Sequence, residues 1–184
     1  MQLKLIVLLV FGLTMLNSCS DESTDASNET DGELLGVWEF VELDYSGTSV
    51  AQFQGQDFTT TYDAVGTNID ATMEITENPN DLVFTGSYDI DLTFSFAGQT
   101  QSQSYPLDDV DSISSWTRSG NILTIDGELV TIEGTDLGEA QAQDYTIEEL
   151  TDNTLVLTSS ITQIVDNQGL ESTVSIEIYM RFTR

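Results

Sequence analysis

The side chains available for chemistry in this chain are mainly carboxylates. Its 184 residues include 32 Asp and Glu, but no histidine, one lysine (Lys4) and one cysteine (Cys19). The missing residue types exclude Ser-His-Asp and Cys-His nucleophilic catalysis and histidine-ligated metals. A pair of carboxylates can hydrolyse a glycoside, but no spacing among these acids singles out a pair. We therefore expect that the protein is not an enzyme and uses no cofactor. A glycan-acting enzyme is our third hypothesis and ranks below two non-enzymatic ones.

Clustered acids could also bind Ca²⁺, which prefers oxygen ligands. The densest groups are Asp89-Ile90-Asp91 and Asp108-Asp109-Val110-Asp111. Neither has the spacing of an EF-hand loop, and both are better explained as solvated surface. We expect no metal site.

Cys19 is the residue whose chemistry its neighbours indicate. Lys4 and the apolar run Leu5–Leu16 form the pattern of a signal peptide over residues 1–18. Leu16-Asn17-Ser18-Cys19 resembles the bacterial lipobox, which implies acylation of Cys19 and a membrane partner reached through its acyl chains. The alternative is a buried structural thiol. The resemblance implies a lipid-anchored protein of the cell envelope. We expect the outer membrane, with surface exposure as a further option.

The acidic balance excludes one class of partner. The formal net charge is −28, and binding to nucleic acid depends on Lys and Arg that neutralise phosphates. We expect no nucleic acid partner. Residues 19–33 are too polar to bury a core, and we interpret them as an acidic flexible tether that follows the lipidated Cys19.

From residue 34 onward, apolar residues recur with period two, which is typical of half-buried strands. Leu82–Phe96 and Val174–Phe182 show the pattern most clearly, with a bend or bulge at Gly86. Gly98–Ser104 is interpreted as a hairpin tip or loop. The other predicted strands are Gly36–Tyr45, Gln56–Tyr62, Ala71–Glu77, Ser112–Arg118, Ile122–Asp126, Glu128–Glu133, Tyr145–Leu150 and Thr154–Ile164. About eight to ten antiparallel strands predict an all-β barrel or an open sandwich.

Gly36-Val37-Trp38 opens this region, and Ser119–Ile125, Tyr145–Leu150, Leu155–Leu157 and Met180–Arg184 follow in order. This ordered set resembles the lipocalin-like lipoproteins of the calycin group. The resemblance covers residues 34–184 and implies an up-and-down barrel. It also implies structural residues at the closed end of the barrel: Gly36, Trp38, and Arg181 or Arg184 packed over the tryptophan.

The resemblance further implies a barrel that can hold a small hydrophobic molecule. The inward aromatic residues that could line such a pocket are Phe84, Tyr88, Phe94, Phe96 and Trp116. Our leading hypothesis is a lipid-anchored barrel that binds a small hydrophobic ligand. The alternative is a non-catalytic structural or protein-interaction module whose barrel is filled by side chains.

Overall fold

The computed structural model describes residues 32–127, 129, 142–167 and 170–184. The predicted signal peptide, Cys19 and most of the predicted tether lie outside the described residues, as does the predicted strand Glu128–Glu133 except for Leu129. The described residues form eight strands and no helix. The strands are β1 (Gly36–Phe53), β2 (Gln56–Ile75), β3 (Asp81–Phe96), β4 (Gln99–Ser119), β5 (Ile122–Asp126), β6 (Ala142–Leu150), β7 (Thr154–Asn167) and β8 (Leu170–Thr183). No helix in the described part of the chain has the length and apolar character needed to cross a bilayer.

The strands form a closed barrel in which each pairs antiparallel with its neighbours in sequence. The first strand closes the ring by pairing with the last, from Glu39 opposite Thr183 to Ala51 opposite Ser172. The prediction of an all-β, antiparallel, up-and-down barrel is confirmed. Of the two architectures left open by the sequence, the barrel is the one observed.

Period-two patterning produces the inner face of the barrel. In β3, Leu82, Phe84, Tyr88 and Ile90 are each at most 2% exposed, while the residues between them reach the outer surface. The same alternation places alternate apolar residues of β8 inside. Because successive strand side chains point to opposite faces, one apolar residue in every two is enough to fill the interior.

The structure corrects two details of the predicted strands. The predicted strand Gln56–Tyr62 and residues 71–75 of the predicted strand Ala71–Glu77 belong to one strand, β2, which ends at Ile75. A register shift between Thr67 and Asp70 breaks the period there, with Asn68 at positive φ. The sequence pattern is therefore interrupted although the strand continues.

Of the stretch Gly98–Ser104, predicted as a hairpin tip or loop, only Gly98 lies in the hairpin turn, which corrects the second detail. The hairpin turns at Ala97-Gly98, and Gln99–Ser104 belongs to β4, paired with β3. These residues are exposed on both faces. A strand with no apolar face is not recognisable by period two, and only its pairing with β3 identifies it.

The barrel has two different ends. We call the closed end the one that carries the β2–β3, β4–β5 and β6–β7 turns together with Arg184, and the open end the one that carries the β1–β2 and β3–β4 turns. The strands β5 and β6 are 5 and 9 residues long, whereas the others have 14 to 21. Among the described residues, β4 pairs with β5 only over Ser115–Ser119. In the described part of the chain, the pairing of β4 with β5 and of β6 with β7 is thus confined to the half near the closed end.

The core follows this division. Its fully buried large side chains include Trp38, Met73, Phe84, Ile147 and Phe182, which belong to the half near the closed end. Toward the open end the inward residues of β2 and β4 are half-buried or exposed. The closed half of the barrel is therefore filled by side chains, whereas the side of the open half formed by β2, β3 and β4 is not, although Val174 and Ile176 of β8 are buried at the same level.

The bend predicted at Gly86 is present, with a register shift against β4 between Gly86 and Tyr88. Gly86 has φ of +132°, and a Cβ there would collide with the main chain of Asp70 and Ala71. Only glycine meets both requirements, since positive φ is unfavourable for other residues.

We expect Gly86→Ala to lower the free energy of unfolding by roughly 3 kcal/mol, since strain at positive φ adds to a backbone collision. Gly98→Ala is the matched control, because Gly98 also has positive φ (+79°) but no atom within 4 Å of the position that a Cβ would take. It should cost only about 1 kcal/mol. Urea unfolding followed by tryptophan fluorescence measures both. Equal losses would contradict the role of the close approach.

Candidate functional site: the closed end and the open-end cavity

The closed end is built around Trp38. Its side chain is completely buried, and its indole N–H donates a hydrogen bond to the Leu34 carbonyl at 2.9 Å. The Arg184 guanidinium lies over the indole, with Cζ 4.1 Å from the ring centroid. A guanidinium at that distance from a tryptophan face is in the range of a cation–π contact.

Arg184 also ties three segments of the chain together. Its Nη1 and Nη2 donate to the carbonyls of Leu35 and Glu33, both at 2.9 Å, and its Nε donates to the Asp152 carbonyl at 2.7 Å. One side chain directly after β8 therefore holds the residues before β1 and the β6–β7 turn. The planar guanidinium suits this role because it presents several donors in a fixed arrangement.

The other two residues predicted at the closed end have separate positions. Gly36 has φ of +121°, and a Cβ there would lie 3.3 Å from Nη1 of Arg184. Arg181 does not lie over the tryptophan. It pairs with Glu42 at 2.8 Å on the outer face of β8 and β1, because its position in β8 directs it outward. Of the two arginines proposed for this contact, the structure places Arg184 there.

The five aromatic residues predicted to line a pocket do not lie together. Phe84 is in the filled core, where its ring centroid lies 5.4 Å from that of Phe40. Tyr88 also packs on Phe40, at 5.7 Å, and borders a side opening of about 380 Å³. Trp116 is half-buried at the closed end and donates its indole N–H to the Thr76 carbonyl at 2.9 Å. These three residues do not contribute to one common pocket.

Phe94 and Phe96, by contrast, line a cavity of about 480 Å³ at the open end. The strand register explains the position, since Tyr62 lies opposite Phe94 and Thr60 opposite Phe96 on the inner face. The volume is within the usual range of small-molecule sites. The lining residues come from β2, β3 and β4: Thr60, Tyr62, Leu92, Phe94, Phe96, Gln103 and Tyr105.

Sequence reasoning missed Tyr62 and Tyr105 as lining residues. Tyr62 lies at the end of a predicted strand whose partner was not known, and Tyr105 follows the polar stretch interpreted as a loop. The available signal was parity, which is the even or odd position of a residue along its strand. Thr60, Tyr62 and Ala64 occupy alternate positions, as do Gln103 and Tyr105. Parity shows which residues share a face, but the strand register decides which residues meet across strands.

A second concavity, of about 470 Å³, crosses the outer face of the barrel. Four carboxylates line it, those of Asp44, Asp63, Asp91 and Glu177. Burial, followed by the nearby Glu42 carboxylate, raises the pKa of Asp44 above its usual value. The described residues include no group of three or more His, Cys, Asp or Glu placed to hold a metal ion. This surface is an acidic face of the barrel.

Two pKa values on the same face show how Glu42 acts. Its hydrogen bond to Arg181 raises the pKa of that guanidinium, which stays charged. Burial, followed by the Glu42 charge, raises the pKa of the Tyr179 hydroxyl. Both groups keep their protons at neutral pH, so neither supplies a base.

Comparison with known proteins identifies one family. The family model described as a lipocalin-like domain matches residues 34–157. This stretch begins two residues before β1 and runs into β7, and it contains every residue that lines the open-end cavity. A search of curated proteins and a search of solved structures each found no match.

We expect Arg184→Ala to lower the free energy of unfolding by about 2 kcal/mol, because the cation–π contact and the hydrogen bonds to three carbonyls are lost together. Arg184→Lys should recover only part of this, since an ammonium cannot reach all three carbonyls. Arg118→Ala is the control, because Arg118 is exposed on the β4–β5 turn, and it should change stability by less than about 0.5 kcal/mol. Urea unfolding of the three variants measures the differences, and full recovery by lysine would argue against the geometry.

Proposed function

Since the chain belongs to the lipocalin-like domain family, we propose that it is a lipid-anchored lipoprotein of the cell envelope that binds a small hydrophobic molecule. The proposed binding site is the open-end cavity. The proposed anchor is Cys19, acylated after removal of residues 1–18. The proposed location is the outer membrane, and the domain is proposed to act without catalysis.

The observation that supports ligand binding is the unequal filling of the barrel. The closed half is packed with side chains that are almost completely buried, including Trp38, Phe84 and Phe182. The open half keeps a cavity of about 480 Å³ whose walls carry four aromatic rings. A barrel serving only as a solid scaffold gains stability from filling its interior throughout, because each buried apolar side chain contributes about 1.5–3 kcal/mol.

The alternative, a protein-interaction module, has support from a different part of the surface. Ile113 and Ile164 are each 72% exposed, and Phe53 is 56% exposed. Scattered apolar residues of this kind are common on soluble proteins, whereas contiguous patches mark interfaces. The cavity is one continuous concave site, whereas these exposed apolar residues are scattered over the surface. Ligand binding is therefore the function we favour.

Two features support a role without catalysis. The chain has no histidine and only one lysine and one cysteine. The cavity lining consists of aromatic, aliphatic, hydroxyl and amide side chains, with no carboxylate among them. General acid–base chemistry most often uses His, Asp, Glu or Lys, and none of these lines the cavity, whose titratable groups are the phenols of Tyr62 and Tyr105.

We expect the neutral fluorescent probe N-phenyl-1-naphthylamine to bind the full chain carrying Cys19→Ser and to gain fluorescence on binding. Thr60→Trp, added to that chain, should weaken binding at least about tenfold, because an indole would occupy the cavity between Tyr62 and Phe96. Ile164→Ala is the matched control and should leave the affinity unchanged, since Ile164 points away from the cavity. Fluorescence titration measures all three chains, with their circular dichroism compared to verify folding. Equal binding by the Thr60→Trp variant would place the probe elsewhere, and no binding by any chain would favour the interaction module.

We expect Cys19→Ser to abolish incorporation of labelled palmitate and to release the protein from the membrane fraction, since acyl chains supply the anchoring energy. The unaltered chain and the Ser18→Ala variant, which keeps the cysteine, are the controls. Fractionation of cells followed by immunoblotting measures the distribution. A Cys19→Ser protein that is still membrane-bound and labelled would contradict acylation at this residue.

A further inference from the structure

The walls of the open-end cavity have a distinct electrostatic character. Four of the lining side chains are aromatic, and the polar groups are all uncharged: two phenolic hydroxyls, one aliphatic hydroxyl and one amide. The faces of aromatic rings carry partial negative charge, which attracts cations. The rings are those of Tyr62, Phe94, Phe96 and Tyr105, and the aliphatic hydroxyl and the amide are those of Thr60 and Gln103.

No cationic side chain of the described part of the chain lies at this cavity. Arg184 covers Trp38 at the closed end, and Arg118 bonds to the Gly120 carbonyl in the β4–β5 turn, also at the closed end. Arg181 pairs with Glu42 on the outer face. Lys4 lies outside the described residues.

Acidic side chains, by contrast, surround the cavity. On the outer faces of the same strands, Asp63 lies in β2 and both Asp89 and Asp91 lie in β3. Asp57 lies next to the β1–β2 turn at the open end, and Glu171 is near the open end of β8. At physiological ionic strength, charges interact over roughly 8 Å before screening weakens them. The barrel is small, so the fields of several of these carboxylates add at the cavity.

We propose that the open-end cavity selects its ligand by charge, binding aromatic cations most tightly, neutral aromatics less tightly and anions least. This rests on the proposed function, because it specifies which hydrophobic molecules the cavity takes. A carboxylate or sulfonate in this cavity would be desolvated without a cationic partner, which is unfavourable. An aromatic ammonium compound would meet ring faces inside and carboxylates outside.

The phenyl rings at the mouth strengthen this preference. The ring centroids of Phe58 and Phe96 are 6.4 Å apart, and the two side chains are 40% and 44% exposed. A flat ligand entering the cavity therefore passes aromatic surface first. Neither of these two side chains has a hydrogen-bond donor that would favour an anion.

The test uses three probes that share a naphthylmethyl group and differ in charge: (2-naphthylmethyl)trimethylammonium, 2-naphthylmethanol and 2-naphthylacetate. Each competes with N-phenyl-1-naphthylamine for the full chain carrying Cys19→Ser, at 50 mM and at 500 mM salt. We expect the ammonium compound to bind at least about fivefold more tightly than the alcohol and the carboxylate more weakly still. The difference should shrink at high salt, because part of it is long-range.

A pair of variants places the selection at the cavity. Gln103→Arg introduces a cation into the lining, whereas Ser104→Arg introduces the same charge one residue further along β4, on the outer face opposite Asp91. We expect Gln103→Arg to raise the affinity for 2-naphthylacetate and lower that for the ammonium compound by about fivefold or more. Ser104→Arg should have much smaller effects on both, and circular dichroism verifies that both variants fold.

The outcomes separate this inference from the proposed function. If N-phenyl-1-naphthylamine binds but 2-naphthylacetate competes as well as the ammonium compound, charge selection is overturned and ligand binding stands. If Gln103→Arg and Ser104→Arg behave alike, selection does not arise in this cavity and the inference is likewise overturned. If no probe binds, both proposals fail.

Discussion

The pairing of the first strand with the last is the interaction on which the rest of the structure depends. An up-and-down sheet of eight strands has two edges, and only β1·β8 pairing turns them into a ring. The pairing joins the two ends of the described chain, so the residues that stabilise it come from both. Trp38, Leu34 and Arg184 meet there through the indole hydrogen bond and the guanidinium over the ring. Closure removes edges, which would otherwise bind other strands.

Closure at one end permits an unfilled interior at the other. Near the closed end the ring is complete, and aromatic residues such as Phe40, Phe84 and Phe182 pack against one another in its interior. Among the described residues, β5 and β6 pair with β4 and β7 only near the closed end, so fewer described strands surround the interior toward the open end. The stability supplied by the filled half allows Tyr62, Phe94 and Tyr105 to be half-buried around a cavity. The same barrel can therefore hold its fold and leave space for a ligand.

Local signals in the sequence were sufficient for the antiparallel strands, but they left barrel and sandwich open and did not reveal the cavity. Period-two alternation identified β3 and β8, and Gly86 marked the bend in β3 because only glycine fits there. The break in β2 was misinterpreted since the register shift beside Asn68 interrupts the pattern without ending the strand. The cavity required knowing that Tyr62 lies opposite Phe94, which is a matter of pairing between strands and has no signal within either one. Arg184 lies just beyond the last residue of β8, so strand parity could not orient it.

Within the described part of the chain, two stretches of strand toward the open end pair on one side only, and the stretch in β4 carries residues that disfavour further pairing. Among the described residues, Gln99–Ser114 of β4 pairs only with β3, and Ser159–Asn167 of β7 pairs only with β8. The β4 edge contains Pro106, which has no N–H to donate, and Asp108, Asp109 and Asp111. Proline and charge on an edge disfavour pairing with another chain. These carboxylates also add to the negative field around the open half. The residues that keep the edge from associating therefore also contribute to the charge that a ligand would meet.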